Sequence, residues 1–381
     1  MTAFAFEPAS LPAGIGAWRH EVRAFAAAGV AGLGAERRAN SWAVFDADFS
    51  RALGARGWIG LTWPRRYGGA ERSALERYVL LEELLAAGAP VGAHWIADRQ
   101  SGPALLRYGS EAQRERFLPA IARGECYFCI GMSEPGAGSD LAAVRTRAER
   151  CGDHWRLNGQ KLWTTHAQRA HVMIALVRTG AESGKRHEGL SQFLVDLRSP
   201  GVTVRPIVDL AGEAHFNEVF FDDVVVPHEM LLGSEGQGWA QCTSELALER
   251  SGPERYLSSH ALFVEFLRRA RADSQAERIE VGRISAELWT LRQMSLSVAA
   301  RLAAGEDPAL EAAIVKDLGN AFEQSLPRRV QALLDEGESL EGDSALVRVL
   351  ALLLQTAPSF SLRGGTREIL RGIVARGLGL R

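Results

Sequence analysis

Cysteine is scarce in this chain, four among 381 residues, too few for a disulfide framework at this length. No apolar run approaches the eighteen or so residues that would cross a bilayer as a helix. Net charge is equally unremarkable at −2, which gives no reason to expect nucleic-acid binding; Arg268, Arg269, Arg271, Arg328 and Arg329 read as solvated helix faces. The stretch from Met1 to Gly16 has neither a basic start followed by an apolar core nor an Arg-rich, acid-poor character, so the cytoplasm is the expected compartment. Cys126 and Cys129 have CxxC spacing, but the segment between and after them is apolar and reads as a buried strand. A zinc site would need two more ligands, and Cys151 with His154 is a weak pair, so no metal is expected.

What remains is an ordinary globular composition, 46% hydrophobic, in a chain longer than one hydrophobic core usually serves. The pattern runs helix, strand, helix. Leu75, Tyr78, Leu81 and Leu85 recur at steps of three and four until Gly88 and Pro90. Between Cys126 and Val226 the period shortens: residues 171–177, 192–197, 202–208 and 219–226 are short runs rich in Val, Ile and Phe. Asn158-Gly159 carries a type I′ hairpin signal. Beyond Gly238 helices return. One stripe is Ile284, Leu288, Leu291, Met294, Val298 and Leu302, ending at Gly305 and Pro308; another is Ile314, Leu318, Phe322 and Leu326, with Pro327 expected to break or kink it.

The most informative feature is Ile130-Gly131-Met132-Ser133-Glu134-Pro135-Gly136-Ala137-Gly138-Ser139-Asp140, followed by Asn158-Gly159-Gln160-Lys161-Leu162-Trp163-Thr164-Thr165. Small residues let backbone approach a planar or phosphate-bearing ligand, Ser133, Ser139 and Thr165 supply hydroxyls, and Trp163 supplies a flat face. Alone, the first segment reads equally as a surface turn; the pair reads as a flavin site.

Both segments resemble the signature motifs of the acyl-CoA dehydrogenase family, and four further matches in order extend the resemblance over nearly the whole chain. These are Gly57-Trp58-Ile59-Gly60-Leu61 to Tyr67-Gly68-Gly69, Gly102-Pro103-Ala104-Leu105 to Gly124-Glu125, Phe216-Asn217-Glu218-Val219 to Trp239, and Gly364-Gly365-Thr366-Arg367-Glu368-Ile369. The resemblance implies an α+β multidomain fold: an N-terminal all-α domain (1–125), a middle β-barrel or sandwich-like domain (126–236) and a C-terminal domain of the four-helix-bundle kind (237–381). It also implies FAD as cofactor, an acyl-CoA substrate and an electron-transfer flavoprotein as acceptor.

In the reaction so implied, a carboxylate removes the proton next to a thioester carbonyl while hydride leaves the next carbon, which calls for a desolvated base and donors aimed at the enolate oxygen. In much of the family the base is a Glu directly before the Gly-Thr of the C-terminal loop, a position held here by Gly364. The replacement candidate is Glu249, immediately before Arg250, which resembles the isovaleryl and long-chain branches; Glu245, one turn earlier, is the reserve. The Gly364 N–H, near a helix N-terminus that Thr366 is expected to cap, is assigned to the thioester oxygen.

By the same resemblance, Ile130, Met132, Ser133, Gly138, Ser139, Trp163 and Thr165 are expected around the flavin. Thr366 and Glu368, with Arg367, are expected near its diphosphate, and Ser139 and Arg250 at the acyl-CoA. Two of the family's segments, Arg-x-x-Phe-Gly and Gln-x-x-Gly-Gly-x-Gly, have no match; both belong to the adenine half of a cofactor site completed across subunits. The usual Asp two before the base is Ala247. An oligomer, homomeric or mixed, is therefore expected, with two alternatives: a non-catalytic subunit of a heteromeric assembly, or a related oxidase or monooxygenase.

Overall fold

The computed structural model describes residues 4–180, 186–248, 250–334 and 344–380, without the side chains of residues 244–248. Helices α1 (Ile15–Val30), α2 (Ala35–Ala39), α3 (Ala47–Ala55), α4 (Ala74–Ala87), α5 (Gly102–Tyr108) and α6 (Glu111–Ala122) come first. Strands β1 (Phe128–Gly131), β2 (Arg147–Cys151), β3 (His154–Lys161), β4 (Val172–Arg178), β5 (Leu190–Asp196), β6 (Val202–Ile207), β7 (Phe216–Pro227) and β8 (Leu231–Leu232) follow. Helices α7 (Gly238–Leu248), α8 (His260–Arg269), α9 (Gln275–Ala303), α10 (Ala309–Gln331), α11 (Ala345–Thr356) and α12 (Arg367–Gly377) complete the chain. The α+β class with helices at both ends is thus present. No helix of the described residues is long and apolar enough to cross a membrane.

The chain divides into two compact units: Met1–Val44 with Arg72–Pro90 and Ala247–Arg381, and Phe45–Glu71 with Val91–Leu246. In the first, α4 starts at a capping box, the Ser73 hydroxyl accepting from the Glu76 N–H while the Glu76 carboxylate accepts from the Ser73 N–H. It ends at Gly88, whose φ of +73° suits glycine and where a Cβ would lie 2.5 Å from Arg38 atoms. The core of this unit gathers Phe263, Phe266, Ile284, Leu291, Phe322, Leu326, Leu350 and Leu353.

The expected stripe on α9 is borne out, with Ile284, Leu291 and Val298 buried. The α10 stripe is only half right. Phe322 and Leu326 are buried, but Leu318 is 46% exposed, and the helix buries a second row containing Lys316, Gly319, Asn320 and Glu323. A hydrophobic period cannot register a face made of small and polar residues. Nor does Pro327 end the helix, which continues to Gln331. Proline leaves the Glu323 carbonyl without its helical donor, and the Ser259 hydroxyl donates to that oxygen at 3.0 Å.

The second unit is built on a sheet ordered β6-β7-β3-β2-β4-β5-β8, with β1 parallel to β4 in register Phe128↔Val172 through Gly131↔Ala175. Residues 172–177 of β4 are buried on both faces, so this strand reads as a continuous apolar run rather than an alternation. Cys129 is buried in β1, as the apolar reading of the CxxC segment requires.

Asn158-Gly159 is not a hairpin turn. The β2–β3 turn lies at Gly152-Asp153, with Gly152 at φ +66°, and β3 runs on through Lys161. A bulge in the β3–β7 ladder sets Asp222 and Asp223 opposite Asn158, and Asp223 takes φ +50°. The Asn158 side chain fixes it from both sides, accepting from the Asp223 N–H and donating to its carboxylate, each at 2.9 Å. Gly159 is needed for close approach, since a Cβ there would lie 2.6 Å from the Thr146 hydroxyl.

Candidate functional site

In the sheet unit the two motif segments come together. The Leu162 N–H donates to the Ser133 carbonyl at 2.9 Å, so the Trp-Thr-Thr element leaves β3 alongside the end of β1. Gly131 sits close against Met173, whose sulfur would lie 2.4 Å from an added Cβ and would have to shift to admit one. Beyond it the chain folds into a tight turn in which Glu134 and Ala137 exchange two backbone hydrogen bonds of 3.0 Å. Gly136 and Gly138 open onto space that contains no other protein atom within 4 Å of an added Cβ, and Ser139 is exposed.

Trp163 is 56% exposed and holds φ +60°, a conformation that side-chain-bearing residues rarely adopt. Its ring meets Phe216 edge-on at 5.9 Å and offers its remaining surface outward. Next to it, the buried Thr164 hydroxyl has no hydrogen-bond partner among the described residues, while the Thr164 backbone is pinned by Asn217 in both directions at 3.0 Å. Thr165 is half-buried. An outward indole, an unanswered hydroxyl and open glycines fit a flat ligand rich in hydrogen-bonding atoms, as a flavin is.

Beneath this surface lies a pair to which the motif reading gave no role. Lys161 is fully buried and donates to Glu134 Oε1 at 2.8 Å, to the Met132 carbonyl at 3.3 Å and to the Leu176 carbonyl. Glu134 in turn accepts from the N–H groups of Arg145 at 2.7 Å and Thr146 at 3.0 Å. Burial lowers the Lys161 pKa to about 8 against the opposing pull of Glu134. Burial alone would raise the Glu134 carboxyl, but Lys161 and these donors hold it below its ordinary value. The Met132 carbonyl and the Ser133 N–H belong to one peptide unit; with the carbonyl turned inward to Lys161, the N–H is directed away from it, and among the described residues it has no acceptor. Strand alternation held the signal: Trp155 and Leu157 are inward, so Lys161 shares their face.

In the helical unit the Gly364-Gly365 turn takes φ +65° and +102°. Arg250 Nε is 3.5 Å from the Gly364 carbonyl and Lys316 Nζ donates to the Gly365 carbonyl at 2.8 Å. The Gly364 N–H has no acceptor among the described residues. Thr366 caps α12 by accepting from the Ile369 N–H, Arg367 bonds Asp317 at 2.7 Å, and Glu368 is exposed in the first turn. A Cβ on Gly364 would lie 3.3 Å from both Arg255 Nη2 and Lys316 Cε, so cationic side chains line the space beside this position. Gly319 brings α10 against this region, a Cβ there lying 2.1 Å from the Arg255 carbonyl. Burial and the neighbouring Arg255, Arg363 and Arg250 lower the Lys316 pKa to about 7. Burial raises the Glu323 carboxyl despite the nearby arginines and Ser258.

The sequence-expected residues therefore fall into two groups: Ile130, Met132, Ser133, Gly138, Ser139, Trp163 and Thr165 in the sheet unit, and Arg250, Gly364, Thr366 and Glu368 in the helical unit. Glu249 and the Glu245 side chain lie outside the described residues. Lys161, Glu134, Arg255, Lys316 and Arg363 were not singled out by sequence.

Comparison with known proteins matches residues 16–125, 129–224 and 236–379 to family models described as the acyl-CoA dehydrogenase N-terminal, middle and C-terminal domains. The chain is 36% identical over 343 residues to acyl-CoA dehydrogenase IpdE1 of Mycobacterium tuberculosis, covering 87% of each. Among solved structures it resembles the ChsE4-ChsE5 complex from Mycobacterium tuberculosis, at 30% identity over 98% of this chain and 99% of that one, with a TM-score of 0.85. It also resembles a Tcur3481-Tcur3483 steroid ACAD, at 28% identity, 97% and 98% coverage and a TM-score of 0.87.

Proposed function

This chain belongs to the acyl-CoA dehydrogenase family, FAD-dependent oxidoreductases acting on acyl-CoA, and we propose that it carries the catalytic base itself, as Glu249. The observation that carries this reading is Gly364: the loop position has no carboxylate, its surroundings are cationic, and its N–H has no acceptor among the described residues. Glu249 takes the proton from the carbon next to the thioester carbonyl. The Gly364 N–H donates to the carbonyl oxygen as it becomes enolate-like, with Arg250 and Lys316 fixing the turn through the two glycine carbonyls. FAD, when bound, would supply the acceptor for the hydride on the next carbon. Trp163 would pack on its ring system, Ser133 and Thr165 would bond its polar edges, the 130–139 backbone would line it, and Thr366 and Glu368 would lie near its diphosphate. Ser139 and Arg250 contact the acyl-CoA.

In this reading the division into segments 1–125, 126–236 and 237–381 is functional: the middle segment carries the flavin and the last carries the base. Electrons pass on to an electron-transfer flavoprotein. A mixed oligomer is favoured by the two missing adenine-site segments, and the ChsE4-ChsE5 and Tcur3481-Tcur3483 neighbours, whose descriptions each pair two chains, support it.

Anaerobic titration of the purified yellow protein with a panel of saturated acyl-CoA thioesters tests the reading, and bleaching by at least one of them is expected. A colourless chain that takes up no FAD, alone or with a co-purifying partner, overturns it. Rapid reoxidation in air with stoichiometric peroxide assigns oxygen as acceptor instead.

A further inference from the structure

Next to Gly364, Arg363 enters a small open cleft whose wall also includes Arg38, Trp42, Phe360 and Ser258. The Arg363 guanidinium is clamped between two rings, 4.1 Å from the Trp42 centroid and 4.4 Å from that of Phe360. Its Nη2 donates to the Ser258 hydroxyl at 3.2 Å, yet its buried Nε has no hydrogen-bond partner among the described residues. Arg38 repeats the pattern: Nη2 lies 3.5 Å from Glu265, a carboxylate shared with Arg268, while the buried Nε has no acceptor among the described residues. None of the described residues lining the cleft is acidic, and the Ser258 hydroxyl already donates to the Glu254 carbonyl.

Two buried guanidinium donors without acceptors are costly, and an oxyanion relieves that cost with charge-assisted hydrogen bonds. Arg363 is the chain neighbour of Gly364, so the cleft lies beside the Gly364 turn. Trp42, which holds Arg363 on its face, carries Arg255 at 5.7 Å, and Arg255 reaches to 3.3 Å of a Cβ on Gly364. The cleft is small, with a cavity volume of about 30 Å³. We propose that this cleft binds the distal carboxylate of the acyl group, so that the preferred substrates are acyl-CoA thioesters whose tails end in a carboxylate. The inference rests on the acyl-CoA reading above and deepens it.

The test compares octanedioyl-CoA with octanoyl-CoA on the FAD-loaded protein, together with its partner chain if it purifies with one, by equilibrium binding and by kcat/KM. The wild type should favour the carboxylated tail by about ten- to a hundredfold, the range of hydrogen bonds to a charged group. Arg363→Met should bring that ratio to within about threefold of unity. Arg38→Met, away from the turn, provides the same readout if the Arg363 variant does not fold. Equal affinity of the wild type for both thioesters, or a preference that persists in both variants, overturns the carboxylate site and leaves the dehydrogenase reading intact. If neither thioester binds or bleaches the flavin, the acyl-CoA reading fails and the site fails with it.

Discussion

Lys161 Nζ sits 2.8 Å from Glu134 Oε1 with neither side chain open to solvent, and the pair bolts the end of β3 to the turn that follows β1. Both motif segments, which carry the proposed flavin contacts, are thereby held from below by a buried pair. Removing one partner of a buried pair leaves an uncompensated charge and costs about 3–5 kcal/mol. Lys161→Met should accordingly lower the urea midpoint and weaken FAD binding. Adding Glu134→Gln should restore part of both, and a double variant no better than the single one would show that the pair is not coupled.

Trp163 separates the two contributions the other way. Its ring is more than half exposed, so Trp163→Ala should change the stability of the flavin-free protein by no more than about 1 kcal/mol. The same change should weaken FAD binding at least about tenfold, because the flat contact surface is lost. Fluorescence titration with FAD and thermal unfolding of the flavin-free protein measure the two, and an unchanged dissociation constant would remove Trp163 from the flavin surface.

Glu249→Gln keeps size and removes basicity, so the anaerobic flavin-reduction rate should fall by about 10²–10⁴-fold with flavin content retained. Moving the carboxylate to the loop, as Glu249→Gln with Gly364→Glu, should recover little. The new side chain would enter at φ +65° and meet Arg255 and Lys316, which stabilise its ionised form and lower its basicity. Stopped-flow reduction of both variants decides this; a near-normal rate in Glu249→Gln would pass the role to Glu245 or to a partner chain.

Lys316 gives a pH signature. Its pKa is held near 7 in the fold, against an ordinary value of 10.5. Between those values the unfolded chain binds a proton that the folded chain does not, so this group's contribution makes the protein more stable as pH rises from about 7 to about 10. Below pH 7 both states are protonated and the burial cost is borne in full. Urea midpoints of the wild type and Lys316→Met, compared at pH 6.5 and pH 9, should differ in the variant's favour at the lower pH and converge or reverse at the higher. A pH-independent difference would contradict the assignment.

Ser259 and Pro327 should be coupled through one carbonyl. Ser259→Ala strands the buried Glu323 oxygen and should cost about 1–3 kcal/mol. With Pro327→Ala in place, the helix can supply its own N–H and the same serine change should cost much less. Additive effects in the double-mutant cycle would contradict the compensation.

The sequence alone determined the order of helix, strand and helix, the C-terminal end of α4, the α9 stripe and the pairing of the two motif segments from which the flavin contacts are proposed. These depend on local periods, on caps, and on glycines with one steric use. It also marked the loss of the loop carboxylate at Gly364, since an identity at a motif position needs no coordinates. The tertiary structure decided what depends on partners distant in the chain. Asn158-Gly159 stays in a strand because Asp223, 65 residues away, takes the asparagine side chain. The α10 helix passes through Pro327 because Ser259 replaces the missing donor. Lys161, Lys316 and Arg363 look in sequence like solvent-facing charges. They are drawn inward by carbonyls, a carboxylate and aromatic rings that folding brings to them.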